Sequence, residues 1–177
     1  MNQDTTADLA QAARLFGRLL LREPDAVSLD ELRQPAIRDA LAALDVAVPD
    51  DEQLEELSAR YFELFLHPDG AQPPIQSLWH DGQYEGDAAA SVRELAKAAA
   101  LEQAPGARGA PPDHLGCILL LWAELATTRT ELADALARHH VAWSDLALQH
   151  AARDPGFYGA VSRATLSLVQ ELRAPRR

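Results

Sequence analysis

The run Leu115–Leu125, reading LGCILLLWAEL, limits more than any other stretch what this chain can become. It is too long for an ordinary strand and too short to cross a bilayer, which takes about 20 apolar residues. It therefore reads as a helix buried at the centre of a helical protein. Ala110-Pro111-Pro112-Asp113-His114 leads into it. Prolines suit the lead-in and first turn of a helix, where backbone N–H groups have no helical partner. Asp113 and His114 are thus expected at the helix start, beside whatever the preceding loop leaves open. Physics alone favours a structural network over catalysis at this pair. Asp113 would accept helix N-terminal N–H groups, and His114 would bond a loop carbonyl.

Helix signals recur along the rest of the chain. Leu9, Ala12, Phe16, Leu19 and Leu20 step at helical spacing, and Pro24 ends that segment. Ser28-Leu29-Asp30-Glu31 reads as a capping box. Pro35 restarts a helix with Ile37, Leu41 and Leu44 on one face. Asp50 with Gln53 opens the next, whose apolar face is Leu54, Leu57, Tyr61, Leu64 and Phe65. Residues 67–86 then hold three prolines and three glycines together with Ile75, Leu78, Trp79 and Tyr84. Loops of this length are uncommon unless functional or disordered, and disorder rarely carries so many large apolar groups. An ordered, surface-presenting loop is expected. Asp87 is expected to cap a helix running to about Gln103, and residues 104–112 form a second, small-residue loop. Thr130, Ser144 and Asp154-Pro155 mark three later helix starts. Trp122, Trp143, Phe157 and Tyr158 are expected in the core. The chain therefore reads as all-α, one domain over residues 1–177, with roughly eight or nine helices and two loops set apart for function, at about 67–86 and 104–112.

Charge narrows the partners. The net charge is -11, and residues 1–67 carry 14 acids against 6 bases. That balance argues against nucleic acid, whose binding rests on basic contacts to phosphate. Asp50-Asp51-Glu52 with Glu55-Glu56 reads first as a helix start with acids at its positive end, and second as a field attracting a basic partner. A single cysteine, Cys117, excludes an internal disulfide and reads as a buried small hydrophobe. No stretch has the length of a membrane span. The opening MNQDTTADLA has no secretory pattern, so a cytoplasmic location is expected.

Signs of catalysis are sparse. The six histidines form no H-E-x-x-H pair and no recognised metal spacing, and neighbouring His139 and His140 point about 100° apart on a helix. Phosphate-cradling glycine loops and a nucleophile elbow are missing. No cofactor or metal is expected. An all-α enzyme built on Asp113 and His114, or a helical regulatory adaptor, stays open as an alternative.

Four motifs, in order, carry a family resemblance. They are Tyr61-Phe62-Glu63-Leu64-Phe65; Pro73-Pro74-Ile75-Gln76-Ser77-Leu78-Trp79 followed by Asp81 and Gly86-Asp87; Pro111-Pro112-Asp113-His114-Leu115; and His139 with Trp143-Ser144 before Pro155, Phe157 and Tyr158. The chain resembles the TorD/DmsD/NarJ superfamily of redox-enzyme maturation chaperones, and looks closest to the TorD/DmsD branch. Two positions depart from the pattern: Ala110 stands where the signature has glutamate, and Ile75 where an aromatic is frequent.

The resemblance implies a cytoplasmic chaperone rather than an enzyme. Its partner would be the catalytic subunit of a molybdopterin oxidoreductase, bound through a twin-arginine leader until the cofactor is inserted. It also implies a monomer or a domain-swapped dimer, with 104–112 as a candidate hinge. Carried over by position, it assigns peptide binding to Ile75, Ser77, Leu78, Trp79, Asp81, Gly86, Asp87, Pro112, Asp113 and His114. Each has a structural counterpart: Trp79 as loop anchor, Ser77 as turn former, Asp87 as helix cap. On this reading, charge reversal at Asp113 would weaken leader binding and leave the helices intact.

Overall fold

The buried run is a helix, and every one of its residues except Glu124 is buried, Trp122 completely. The computed structural model describes residues 3–67, 70, 72–102, 104, 106–107 and 109–174. Among these it has ten α-helices and no extended strand. They are α1 (Gln3–Leu21), α2 (Ala26–Leu32), α3 (Pro35–Ala42), α4 (Leu54–Tyr61), α5 (Gln76–Asp81), α6 (Asp87–Ala98), α7 (Leu115–Leu125), α8 (Thr130–His140), α9 (Ser144–Ala151) and α10 (Phe157–Arg173). The tenth is α5, a six-residue helix inside what the sequence presents as the loop 67–86. Positions 68, 69, 71, 105 and 108 of the two expected loops, and Gln103, lie outside the described residues.

Helix α1 lies directly across α7, and two glycines allow it. A Cβ on Gly17 would stand 2.9 Å from the carbonyl oxygen of Gly116, and one on Gly116 would stand 2.6 Å from that of Gly17. Backbones approach this closely only without side chains between them. The remaining α1 face sends Phe16, Leu19 and Leu20 into the core with Ile118, Leu119 and Leu121. At the far end of the crossing, Glu124 accepts two bonds from Arg14, at 3.1 and 3.2 Å. Helices α8 and α10 pack beside this pair, α9 against α10, and α6 against α8. Each fully buried leucine of α7 contributes about 1.5–3 kcal/mol of apolar burial.

Several helix starts differ from expectation in instructive ways. The N-cap of α2 is Asp25, whose carboxylate accepts from the Ser28 N–H at 2.8 Å, so Ser28 is inside the helix. Helix α6 is capped by Gly86 and ends at Ala98; Asp87 occupies its first turn, where a carboxylate favours the positive helix end. Ser144 is the first residue of α9 and donates to Val141 O. Trp143 and Phe157 are half-buried at the core's edge. Asp154 does not begin α10. It holds the approach to it, accepting from the Gly156 N–H at 3.1 Å and from Arg60 Nε at 2.7 Å, with Arg60 Nη2 on the same oxygen. That carboxylate is buried, so the pair locks α4 to the turn before α10. The Asp50–Gln53 capping box is formed as expected.

Candidate functional site

The two proline-containing loops, far apart in sequence, are clipped together. Gln76 N–H donates to Asp113 O at 3.0 Å and Leu115 N–H donates to Pro74 O at 2.8 Å, making an antiparallel bridge between Ile75 and His114. The bridge satisfies backbone groups that neither loop can satisfy alone. It also puts two separate sequence motifs into one site.

Within the clip, Asp113 accepts a helix N-terminal N–H as expected, but from α5 rather than α7, and His114 takes the α7 cap instead of bonding a loop carbonyl. His114 caps α7 itself, its Nδ1 accepting the Gly116 N–H at 3.0 Å. Asp113 caps a different helix. Its Oδ2 accepts the Ser77 N–H at 2.8 Å in the first turn of α5. The carboxylate is fully buried, and among the described residues neither its Oδ1 nor the Ser77 hydroxyl has a hydrogen-bond partner. No hydrogen bond joins Asp113 to His114 among the described residues. Behind them, Gln76 Oε1 meets His140 Nδ1 at 2.8 Å, and His140 Nε2 meets the Ser91 hydroxyl at 3.0 Å. The carbonyl can only accept, so His140 carries its proton on Nδ1.

Burial sets the protonation of both histidines. It pushes the His114 imidazole down to about 4, with the Asp113 carboxylate opposing. It lowers His140 as well, helped by His139 and opposed by Asp113. A native pKa below the unfolded value of about 6.5 gives stability that is complete above pH 6.5 and lost as pH falls toward 4. Across that window His114 alone accounts for roughly 3 kcal/mol. His114→Asn keeps a capping acceptor and removes the titration. Urea midpoints measured from pH 7.5 to 4.5 are expected to fall less steeply in this variant than in the parent. Equal slopes would show that His114 does not couple folding to pH.

The clip forms one wall of an apolar groove of about 390 Å³. Leu21 closes it at the end of α1, Tyr61 comes from α4, and Phe65 and Leu66 come from the turn that follows. Pro73, Ile75 and Tyr84 line it from the first loop, and Ala110, Pro111 and His114 from the second. The turn Phe62–Leu66 is a single π turn, closed by His67 N–H on Phe62 O at 2.8 Å. Its i→i+5 closure puts more residues into the turn than an α turn holds, and Leu66 lies off the buried stripe. Phe62 is 51% exposed, Leu66 59% and Tyr84 59%, an unusual concentration of large apolar groups at the surface.

Of the ten residues singled out from the sequence, Ile75 and His114 line this groove. Ser77 and Asp113 lie beneath, joined to each other. Gly86 belongs with them: a Cβ there would stand 2.9 Å from Asp81 Oδ2 and 3.1 Å from the Ser77 hydroxyl. Trp79 is half-buried and ties its own loop, its indole N–H donating to Pro73 O at 2.9 Å. Leu78 and Pro112 are half-buried, while Asp81 and Asp87 are exposed. The list omits Tyr61, Phe65, Leu66 and Tyr84. The detectable signal was the unbroken FELFL, where Phe62 and Leu66 fall off the core stripe of α4. Cys117 is buried, with its thiol pushed up to about 12, and is unreactive where it stands. No cluster of three or more metal-binding side chains occurs among the described residues, and no helix there is long and apolar enough to cross a membrane.

No curated protein matches the chain. Among solved structures, a protein of Archaeoglobus fulgidus described as a "putative redox enzyme maturation protein" has the same fold, with a TM-score of 0.66. The match covers 96% of this chain and 96% of that one at 20% identity. The sequence profile of the family described as nitrate reductase delta subunit matches residues 29–153, a span that holds both clipped loops, the groove's π turn and α7. With most of its length so matched, the chain belongs to the nitrate reductase delta subunit family, within the redox-enzyme maturation superfamily that its motifs resemble.

Proposed function

We propose that this chain is a cytoplasmic maturation chaperone for a redox enzyme, and that its client is the catalytic subunit of a molybdopterin oxidoreductase. The groove is the place where it takes the client's twin-arginine leader. One observation carries the reading: the two motif loops are held together by a backbone bridge, and the apolar surface they enclose is left open. An apolar peptide stretch gains burial against Tyr61, Phe65, Leu66, Ile75 and Tyr84. A basic region beside it gains from the chain's negative field and from Asp81 and Asp87 nearby in sequence to Tyr84. The family and the fold of the Archaeoglobus fulgidus protein support the reading, as does the motif pattern, which resembles the TorD/DmsD branch. The whole chain acts here as one helical domain. Ile75 and His114 line the groove, Ser77, Gly86 and Asp113 support it from beneath, Pro112 lines the adjoining cavity, and Leu78, Trp79, Asp81 and Asp87 enter the reading through their places in the motif. Chemistry at Asp113 and His114 is disfavoured because each is already committed to a helix cap.

The test is titration calorimetry with a synthetic peptide carrying paired arginines before an apolar stretch. Binding is expected to weaken with added salt. Leu66→Asp is expected to weaken it about tenfold or more by placing a charge in the apolar wall, with an unchanged far-UV spectrum because Leu66 is exposed. Absence of binding by the unaltered protein would overturn the leader reading. Affinity capture of a tagged chain from its host names the client: an oxidoreductase still carrying its leader supports the proposal, and one without a leader moves it to assembly in the cytoplasm.

A further inference from the structure

A second cavity, also of about 390 Å³, lies on the other side of the segment 109–111 from the groove. Gly109, Ala110 and Pro111 line both. Tyr84 lines the groove, and the next residue, Glu85, lines the second cavity. The partition is thin: Gly109 sits at φ +79 with no side chain, and Ala110 contributes one methyl. The two cavities therefore adjoin at residues 84–85 and along 109–111.

The two halves differ in chemistry. The floor of the second cavity is apolar, from Val92, Ala96 and Leu121, but its rim carries two carboxylates, Glu85 and Glu102, and one guanidinium, Arg93. Glu85 is held at φ +58, a left-handed conformation that non-glycine residues rarely adopt and that persists where surroundings impose it. Arg93 Nη2 lies 3.1 Å from Glu85 Oε1, with both side chains largely in solvent. A pair so exposed is weak and exchangeable. Glu102 has no ion-pair partner among the described residues. The cavity thus already seats a guanidinium and has one carboxylate to spare.

Building on the leader-binding reading of the groove, we propose that this cavity receives an arginine side chain of the same peptide, which replaces Arg93 on Glu85 and is shared with Glu102. The apolar stretch and the basic region of one ligand then lie on opposite sides of the 109–111 partition. Arg93 acts as an internal competitor, so removing it frees the site.

The test uses two synthetic peptides, one with paired arginines before the apolar stretch and one with glutamines in their place, titrated against three full-length proteins. The Glu85→Gln/Glu102→Gln protein is expected to bind the arginine peptide about tenfold more weakly and the glutamine peptide within about twofold of the parent. Arg93→Gln is expected to bind the arginine peptide about two- to threefold more tightly, with no change for the glutamine peptide. A merely structural role for the Glu85–Arg93 pair would move both peptides in one direction. Equal weakening of both peptides, or no gain in Arg93→Gln, overturns the proposal. If the parent binds both peptides equally well, the groove reading stands and this one falls. If it binds neither, both fall.

Discussion

Asp113→Lys is expected to lower folding stability by at least roughly 4 kcal/mol, enough to unfold a protein of ordinary stability. The carboxylate is fully buried, so the variant must bury an ammonium with no anionic partner. The first turn of α5 also loses the acceptor that holds the Ser77 N–H. Asp113→Asn separates the two effects. Its side-chain carbonyl can still accept from Ser77, and the expected cost is about 1 kcal/mol. Denaturant titration followed by far-UV circular dichroism gives both numbers. A stable, helical Asp113→Lys protein would mean that the loops open readily and that Asp113 reaches solvent. Burial of the carboxylate is why charge reversal at Asp113 cannot leave the helices intact, as its place at a helix start alone would suggest.

The second large effect is expected at the α1–α7 crossing. Gly116→Val should cost roughly 3 kcal/mol, because the new Cβ alone would lie 2.6 Å from Gly17 O and 2.5 Å from Leu21 Cγ. Backbone cannot give way as a side chain can, so the helices must separate along much of the core. Gly17→Ala meets the same obstacle from the other side, 2.9 Å from Gly116 O. One separation relieves both clashes. The double variant is therefore expected to be destabilised by clearly less than the sum of the single costs, a coupling visible in a double-mutant cycle. Strict additivity would indicate that the two sites relax independently and that the close approach is not what the glycines provide.

The order of the helices was legible because it depends on local pattern. Pro24, Pro35 and the Asp50–Gln53 capping box act within a few residues of themselves, and the structure places helix boundaries beside them. The run Leu115–Leu125 could be assigned to the core for a similar reason: no amphipathic surface helix is apolar on every face. Helix α5 is not legible in the sequence because six residues between glycines and prolines carry too little periodicity to separate a helix from a loop. Asp87 stands one residue inside α6 rather than at its cap because Gly86 and Asp87 are both acceptable caps by type, and only the backbone dihedrals choose between them.

The site divided along the same line. Its ingredients were visible as motifs, since proline pairs and an Asp-His step are chemical facts of the chain. Their roles were not. Asp113 and His114 are adjacent in sequence, yet one caps α5 and the other α7, because the antiparallel bridge to residues 74–76 turns the Asp113 side chain toward the other loop. An all-helical chain, its central helix and its two motif-bearing loops follow from local pattern, since burial and capping preferences are read from near neighbours. The joining of those loops, the burial of Asp113 and the groove shared by Leu66 and Tyr84 arise only in the folded chain. Those outcomes depend on contacts between residues far apart in the chain, where backbone hydrogen bonds and close packing select among arrangements that local preference leaves equal.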